Sequence, residues 1–203
     1  MKAETLRLQL GCFDRPADGW LNTDITPHLW VARVPGLAAL LFRMGKMTHQ
    51  RWQQHQSGIF RKVYHLNATK PFPYADNTFL AVFSCHVLEH LHADEAQICV
   101  GEIFRILKPG AVCRIVVPDL DKIVAGYDPE HPELFLARVF EWSPGAARKN
   151  MHCWHYNAES LLGLLRGAGF KDAYRCGYRQ GKCPDLAFLD NRPEESLFVE
   201  AVK

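Results

Sequence analysis

Acidic residues are missing from about a quarter of this sequence, and their absence divides the chain by charge. Between Ile25 and Ala75 there is no Asp or Glu, although seven Lys or Arg residues occur there. They are Arg33, Arg43, Lys46, Arg51, Arg61, Lys62 and Lys70. This segment carries +7, and the rest of the chain, with 17 basic and 22 acidic residues, carries −5. Such a segment either faces an anionic partner or forms a solvated surface.

Several patterns typical of secreted, membrane and repeat proteins are also missing. The sequence has no Cys-x-x-Cys pair, no internal repeat and no apolar run longer than Val34 to Phe42, which is too short to span a bilayer. Met1 to Leu10 lacks the apolar core of a secretory signal. The seven cysteines are an odd number, and several lie in apolar runs: Cys12, Cys85, Cys99, Cys113, Cys153, Cys176 and Cys183. We therefore expect reduced thiols and a cytoplasmic protein without a transmembrane segment.

Strand and helix patterns alternate along the 203 residues, whose length and composition fit one domain. Strands are predicted at Leu6–Leu10, Trp20–Ile25, Lys62–Leu66, Thr78–Ser84, Ala111–Val117, Asp172–Cys176 and Leu197–Val202. Helices are predicted at Asp94–Leu107, Glu133–Trp142 and Ala158–Ala168. The alternation predicts an α/β fold, with a mostly parallel sheet and helices on both faces.

Two connections in this predicted fold are unusual. Only about ten residues join the first two strands, fewer than the dozen or more that a crossover between parallel strands normally needs, so this crossover is abbreviated. Residues 29–60 form an insert between strands two and three, with helical pieces predicted at Val31–Phe42 and Thr48–Gln56. We expect the insert to cover the open edge of the sheet and to give the substrate site a positive field.

Residues suited to ligand binding follow the predicted strands. Gly11, Asp24, Asn67, the stretch Ser84 to His86, and Asp119 each lie at or just beyond a strand end. Parallel strands bring these positions to one edge of the sheet. A glycine there admits a nucleoside close to the backbone, and an acid after strand two can accept both ribose hydroxyls.

The motifs at these positions resemble, in order, those of class I S-adenosylmethionine-dependent methyltransferases of the type-11 kind, within a group of undefined substrate. The first motif is Leu8-Gln-Leu-Gly-Cys-Phe-Asp-Arg-Pro, followed by Gly19-Trp-Leu-Asn-Thr-Asp-Ile. Pro71-Phe-Pro-Tyr-Ala-Asp, His86-Val-Leu-Glu-His-Leu, Glu102-Ile-Phe-Arg-Ile-Leu-Lys-Pro-Gly and Val116-Val-Pro-Asp-Leu continue the match. Asn191-Arg-Pro-Glu-Glu-Ser-Leu-Phe resembles the closing strand. The resemblance implies a Rossmann-like fold with an antiparallel C-terminal strand.

The resemblance also implies a binding site for S-adenosyl-L-methionine. Gly11 and Cys12 would line its methionine end, and Asp24 would hold the ribose. Asn67 and Ala68 would meet the adenine, and Ser84 and Cys85 complete the predicted cofactor site. The family usually has Gly where Phe13 stands, and a bulky residue is disfavoured at a positive φ angle. We expect the Phe13 ring to point away from the methionine pocket.

Two histidine patterns raise the alternative of a metal site. His86-Val-Leu-Glu-His90 fits the H-x-x-E-H pattern of inverted zinc proteases, in which two imidazoles share a helix face. Here the pattern directly follows a buried strand and matches a methyltransferase motif. The stretch His152-Cys153-Trp154-His155-Tyr156 matches no established zinc spacing. The sequence therefore predicts no metal ligand, and a substrate-facing loop or packed aromatic corner at 152–156.

The predicted activity is methyl transfer to an acceptor that the sequence does not identify, although the basic segment favours negative charge on it. Candidates for a general base are Asp119, His86, His152 and His155. We expect a small-molecule or lipid-linked acceptor rather than a nucleic acid. One alternative is an RNA-modifying methyltransferase that stacks a base on Trp52 or Phe60. Another is a non-catalytic nucleoside-binding module in which Phe13 blocks the cofactor.

Overall fold

A seven-stranded sheet organises the computed structural model, which describes residues 6–142 and 151–203. The strands are β1 (Arg7–Leu10), β2 (Leu21–Asp24), β3 (Val63–His65), β4 (Phe79–Cys85), β5 (Leu107–Pro118), β6 (Asp172–Cys176) and β7 (Ser196–Val202). Their spatial order is β3-β2-β1-β4-β5-β7-β6. The first five strands run parallel to one another, whereas β7 is antiparallel to β5 and β6. The Rossmann-like sheet with its antiparallel C-terminal strand is confirmed.

The helices follow the predicted order, with shorter pieces in the insert. They are α1 (His28–Val31), α2 (Leu37–Arg43), α3 (His49–Gln56), α4 (Ala93–Ile106), α5 (Leu120–Ala125), α6 (Pro132–Phe140), α7 (Ala158–Gly167) and α8 (Leu186–Leu189). Two 3-10 turns lie at Ile59–Lys62 and Leu88–His90. The helical piece expected at 31–42 contains the breaker pair Pro35-Gly36, and the helix is interrupted there between α1 and α2, with a φ of +79° at Gly36.

The core lies on both faces of the sheet because successive strand residues point to opposite sides. In β4, Val82 packs in the main apolar cluster, which also receives buried residues of α4 and α7. Ala81 and Phe83 pack on the opposite face, against Trp20 and Leu186 among others. A sheet covered on both faces explains why β4 is nearly continuously apolar.

Helix α4 buries only some of its apolar residues. Its buried residues are Ala96, Cys99, Val100, Ile103 and Ile106, at the three- and four-residue spacing of one helix face. Ile98, an apolar residue of the same helix, lies off that face and is about half exposed, with 47% of its surface accessible. The helix was predicted to end at Leu107, whereas α4 ends at Ile106. Strand β5 begins at Leu107 and includes Lys108-Pro109-Gly110.

The connection between β1 and β2 contains turns but no helix, as the abbreviated crossover predicted. The insert that follows β2 is anchored to this connection by α3. Arg51 Nη1 lies 2.6 Å from Asp14 Oδ2, and Gln54 donates to the same oxygen at 2.9 Å. The insert is therefore fixed beside the first strand end. No helix within the described ranges combines the length and apolar character needed to cross a bilayer.

Candidate active site

The turn after β1 is shaped by Gly11 and its neighbour Val87. Gly11 has a φ of +70°, and a Cβ built on it would overlap the Val87 side chain. Only glycine combines this backbone conformation with so close a neighbour. The turn lies level with the end of β4, because Leu10 pairs with Ser84. Gly11 thus exposes backbone at the carboxyl edge of the sheet.

Asp24 ends β2, and backbone N–H groups fix its carboxylate beside the same turn. Phe13 N–H donates to Oδ2 at 2.9 Å, and Thr26 N–H donates to Oδ1 at 2.7 Å. Each oxygen retains a second lone pair that can accept a hydrogen bond from a ligand. Burial raises the pKa of Asp24 above its ordinary value, an effect that these backbone bonds oppose. The carboxylate is therefore oriented before any ligand arrives.

Phe13 adopts the strained conformation that its position suggested, with a φ of +45°. Its ring lies against the insert, with centroids 6.4 Å from His28 and 6.3 Å from Phe60. The guanidinium of Arg51 stands 4.3 Å from the ring centroid, a cation–π geometry. These contacts favour the left-handed conformation of Phe13 and direct its ring toward the insert.

Cys12 and Cys85 lie close to the glycine turn but are poor nucleophiles. Burial is the main cause of their raised pKa values, which reach about 12 for Cys85, so both thiols stay protonated at neutral pH. With Gly11, Arg15 and others they line a cavity of about 50 Å³. Ligand pockets are commonly ~300 to 1,000 Å³. A nucleoside at this edge therefore has to lie mainly on the surface beyond Gly11 and Asp24.

The other three residues of the predicted cofactor site differ in how much of each side chain a ligand could contact. Asn67 follows β3, and its Oδ1 already accepts bonds from Thr69 N–H and Oγ at 2.9 and 3.0 Å. Its side-chain amide donor has no such partner among the described residues. Ala68 is buried in the main core, so only its backbone can meet a ligand. Ser84 is the penultimate residue of β4 and is buried.

Asp119 is engaged in structural contacts where β5 ends. It caps α5, since its Oδ1 accepts from Asp121 N–H at 3.2 Å, and its Oδ2 lies 3.3 Å from Arg175 Nη2. The carboxylate is 2% exposed. Because it is buried and paired with Arg175 and a helix N-terminus, it has no open approach for a substrate proton.

The three histidines proposed as bases meet at a buried corner beside the strand ends. His86 bridges Glu89 and Ser196, with Nδ1 3.0 Å from Glu89 Oε1 and Nε2 3.1 Å from Ser196 Oγ. The His152 ring lies 5.1 Å from the His155 ring, centroid to centroid. Burial lowers the pKa of His152 to about 4, so this imidazole is neutral at pH 7 and a weak base. Within the segment 152–156, His152 and Tyr156 are buried, whereas Trp154 is about half exposed.

The H-x-x-E-H stretch does not form the helix that a zinc protease requires. His86 has a φ of +54°, and Leu88–His90 is a 3-10 turn. Glu89, which the sequence interpretation set aside, is fully buried here, and His90 lies 5.0 Å from His152 between ring centroids. The three residues Glu89, His90 and His152 form a group whose ligand atoms could hold a metal ion. Both histidine stretches were visible in the sequence, but their proximity was not.

A second cleft lies beside His152. Its volume is about 280 Å³, and its lining includes Pro118 at the end of β5, Lys122, Arg138, His152 and Arg192. The cleft therefore borders both a strand end and the histidine corner. Lys122 Nζ is held by the carbonyls of Pro193 and Ser196, each at 3.0 Å.

Comparisons with known proteins find methyltransferases. A family model described as a methyltransferase domain matches residues 42–115. The ubiquinone/menaquinone biosynthesis C-methyltransferase UbiE of Desulfotalea psychrophila is 31% identical over 109 residues. That alignment covers 50% of this chain and 44% of the enzyme, so the chain is matched to under half of its relative.

Solved structures extend the likeness to the whole fold. A SAM-dependent methyltransferase from Thermotoga maritima superposes with a TM-score of 0.55 at 14% identity, covering 97% of this chain and 81% of the other. A second, from Archaeoglobus fulgidus, gives 0.54 at 16% identity, with 97% and 85% covered. The chain therefore shares the fold of these SAM-dependent methyltransferases.

Two expectations about the insert need correction. Phe60 is 1% exposed, and Trp52 is stacked on Phe42 at 5.4 Å, so Phe60 cannot stack on a base and Trp52 already has one face covered. Arg51, counted as part of a free positive surface, is paired with Asp14 and covers Phe13. Arg43 and Lys46 have no acidic partner within 4 Å in the described part of the chain.

Proposed function

We propose that this protein transfers the methyl group of S-adenosylmethionine to a small-molecule or lipid-linked acceptor. The observation that carries the proposal is the pairing of the Gly11 turn with Asp24. Phe13 N–H holds the Asp24 carboxylate at 2.9 Å, directly beside a backbone that only glycine can form. Gly11 and Cys12 would lie along the methionine end, and Asp24 would accept the ribose hydroxyls. The amide of Asn67 would donate to the adenine.

The bound cofactor would supply an electrophilic methyl group, so the chain mainly has to orient the acceptor. Alignment of reacting groups can contribute about 7–11 kcal/mol. The cleft beside Pro118 and His152 is the best place for the acceptor, because it lies next to the same strand edge. Asp119 and His152 are weak candidates for a general base, since the first is paired with Arg175 and the second has a pKa of about 4.

Calorimetry with S-adenosylhomocysteine tests the cofactor assignment. The wild-type chain should bind one equivalent, and absence of binding would leave the alternative of a fold that has lost its cofactor. A screen of acceptors with isotope-labelled methyl donor then identifies the substrate class. Small-molecule, lipid-linked and RNA pools are assayed separately, and labelling confined to RNA would overturn the acceptor proposed here.

The basic insert is part of this proposal, because it supplies positive charge beside the strand edge. We propose that the acceptor is anionic and that Arg43 and Lys46 contribute to its attraction. The double variant Arg43→Glu/Lys46→Glu should bind S-adenosylhomocysteine normally and lose turnover most strongly at low salt, where charges are least screened. Arg51 is left intact because its bonds to Asp14 hold the insert. Unchanged turnover at low salt would contradict the electrostatic part of the proposal.

We also place this reaction in the cytoplasm. All seven cysteines are free thiols in the structure. Fractionation of cells that express the full-length protein tests this location.

A further inference from the structure

The histidine corner contains a set of ligand atoms that the proposed methyl transfer does not use. One ligand atom each from Glu89, His90 and His152 lies within 4.8 Å of the other two. Glu89 and His90 belong to the 3-10 turn after β4, and His152 comes from the segment before α7. That segment is held in place because the Glu89 carbonyl accepts bonds from Cys153 N–H and Trp154 N–H at 2.7 and 3.1 Å.

Two of these side chains carry buried polar atoms without a hydrogen-bond partner among the described residues. They are Oε2 of Glu89, which is 0% exposed, and Nδ1 of His152, which is 9% exposed. Buried polar atoms are normally paired, and each orphan calls for an explanation such as an ion. A cation bound by this group would give such atoms a partner.

Neighbouring groups orient the other atoms of the set. The His90 Nδ1 lies 3.3 Å from the Met151 carbonyl, which can only accept, so Nδ1 carries the proton and Nε2 keeps a free lone pair. On the other side, His86 holds Glu89 Oε1 at 3.0 Å and is itself held by Ser196. Such contacts to the second ring nitrogen and to a ligating carboxylate are the usual support of a metal site.

We propose that Glu89, His90 and His152 bind a divalent transition-metal ion, although the sequence alone predicted no metal ligand. Two imidazoles and one carboxylate form the ligand set of many catalytic zinc sites, which keep an open position. Mg²⁺ and Ca²⁺ prefer all-oxygen sites, so this donor set discriminates against them.

The position of the site indicates what the ion would do. His152 also lines the cleft assigned to the acceptor, together with Lys122, Arg138 and Arg192. Coordination positions that the protein leaves open would be reached from this cleft, so an oxygen of the acceptor could ligate the ion there. This use of the metal rests on the proposed methyl transfer, whereas metal binding itself does not.

Metal binding is measured on the full chain after chelator treatment, with Zn²⁺ as the probe and Mg²⁺ in comparison. We expect one Zn²⁺ per chain and much weaker binding of Mg²⁺. Loss of a supporting residue costs roughly 10- to 100-fold in metal affinity, so Glu89→Gln and His152→Gln should each cost about 100-fold or more. His86→Asn, which removes only a support and tolerates a positive φ, should cost less.

An exposed pair provides matched controls. His131 and Glu133 lie 3.5 Å apart with 59% and 68% of their side chains accessible, so His131→Gln and Glu133→Gln should leave Zn²⁺ binding unchanged. Co²⁺ gives a second readout, since its visible absorption reports nitrogen and oxygen ligands. Zn²⁺ binding that survives both site substitutions, or Mg²⁺ binding tighter than Zn²⁺, would overturn the site.

Parallel titrations with S-adenosylhomocysteine separate this inference from the proposed function. Glu89→Gln and His152→Gln should retain cofactor-product binding while losing the metal. A wild-type chain that binds Zn²⁺ but not S-adenosylhomocysteine would contradict the methyl transfer and leave the metal site standing. A wild-type chain that binds S-adenosylhomocysteine but not Zn²⁺ would contradict the metal site and leave the proposed methyl transfer standing. Because His152 lies at the edge of the cleft, its variant keeps the test decisive if Glu89→Gln fails to fold.

Discussion

The side chain of Val87 fills the space that a Cβ at position 11 would occupy, which ties the glycine turn after β1 to the turn after β4. Gly11→Ala should therefore lower the free energy of unfolding, since overpacking costs about 1–3 kcal/mol, and should weaken S-adenosylhomocysteine binding. Urea unfolding and calorimetry measure the two effects.

Gly19→Ala is the matched control. Gly19 has a similar φ of +78°, but nothing lies within 4 Å of its Cβ position, so the variant carries the backbone cost without the overlap. Adding Val87→Ala to Gly11→Ala should recover part of the loss. If Gly11→Ala and Gly19→Ala behave alike, Val87 does not constrain the turn.

Asp24→Ala should weaken S-adenosylhomocysteine binding without unfolding the chain. A hydrogen bond to a charged group contributes about 1.5–3 kcal/mol, which corresponds to roughly 10- to 150-fold in dissociation constant. Calorimetry at neutral pH gives the ratio, with thermal melts to verify the fold. Equal affinities for the folded variant and the wild type would exclude Asp24 from the ribose site.

The affinity for S-adenosylhomocysteine should also fall at mildly acidic pH. Burial raises the pKa of Asp24, so the carboxylate takes up a proton at a higher pH than a free aspartate does and then accepts fewer hydrogen bonds. A raised carboxyl pKa stabilises the fold at low pH and loses that contribution as pH rises through it. Binding should therefore weaken on acidification, although protonation of this group does not destabilise the protein. Asp24→Asn should lack this part of the pH dependence.

Phe13→Gly should leave S-adenosylhomocysteine binding similar or tighter. Glycine removes a left-handed strain of about 1–2 kcal/mol, and the ring it removes lies against His28, Phe60 and Arg51 rather than over Gly11. Phe13→Ala loses the same ring but keeps the strain, so it should be less stable than Phe13→Gly. Loss of binding in a folded Phe13→Gly variant would show that the ring belongs to the cofactor site.

Arg114→Met should strongly destabilise the protein, because it leaves two buried carboxylates without their cation. Arg114, Asp190 and Glu200 are each 0% exposed in their side chains, and Arg114 Nη2 lies 2.5 Å from Asp190 Oδ2. Removing one partner of a buried pair costs about 3–5 kcal/mol. Arg192→Met removes an arginine from an exposed pair with Glu195 and should cost under ~1 kcal/mol. Urea unfolding compares the two variants, and similar losses would contradict the buried network.

Much of the fold could be predicted because its signals are local. The continuous apolar character of β4 and the helical pattern of α4, which ends before Lys108, depend only on neighbouring residues. Both β4 and α4 lie close to their predicted bounds. The parallel order of the strands then placed Gly11, Asp24 and Cys85 at one edge, where the sequence had put them. The exposure of Ile98 shows the limit of such local patterns. Periodicity identifies a helix better than it selects the face that a sheet will cover.

The sequence by itself determined the alternation of strands and helices, the glycine turn and the acid that ends β2, because each follows from short-range patterning and chain topology. Only the tertiary structure decided which distant side chains meet. It brought His152 to Glu89, opposed Arg114 to Asp190 and Glu200, and turned Phe13 toward Arg51. A contact between buried charges or imidazoles that are far apart in the sequence gives no periodic pattern. Its stabilisation depends on elements that come together only when the chain packs.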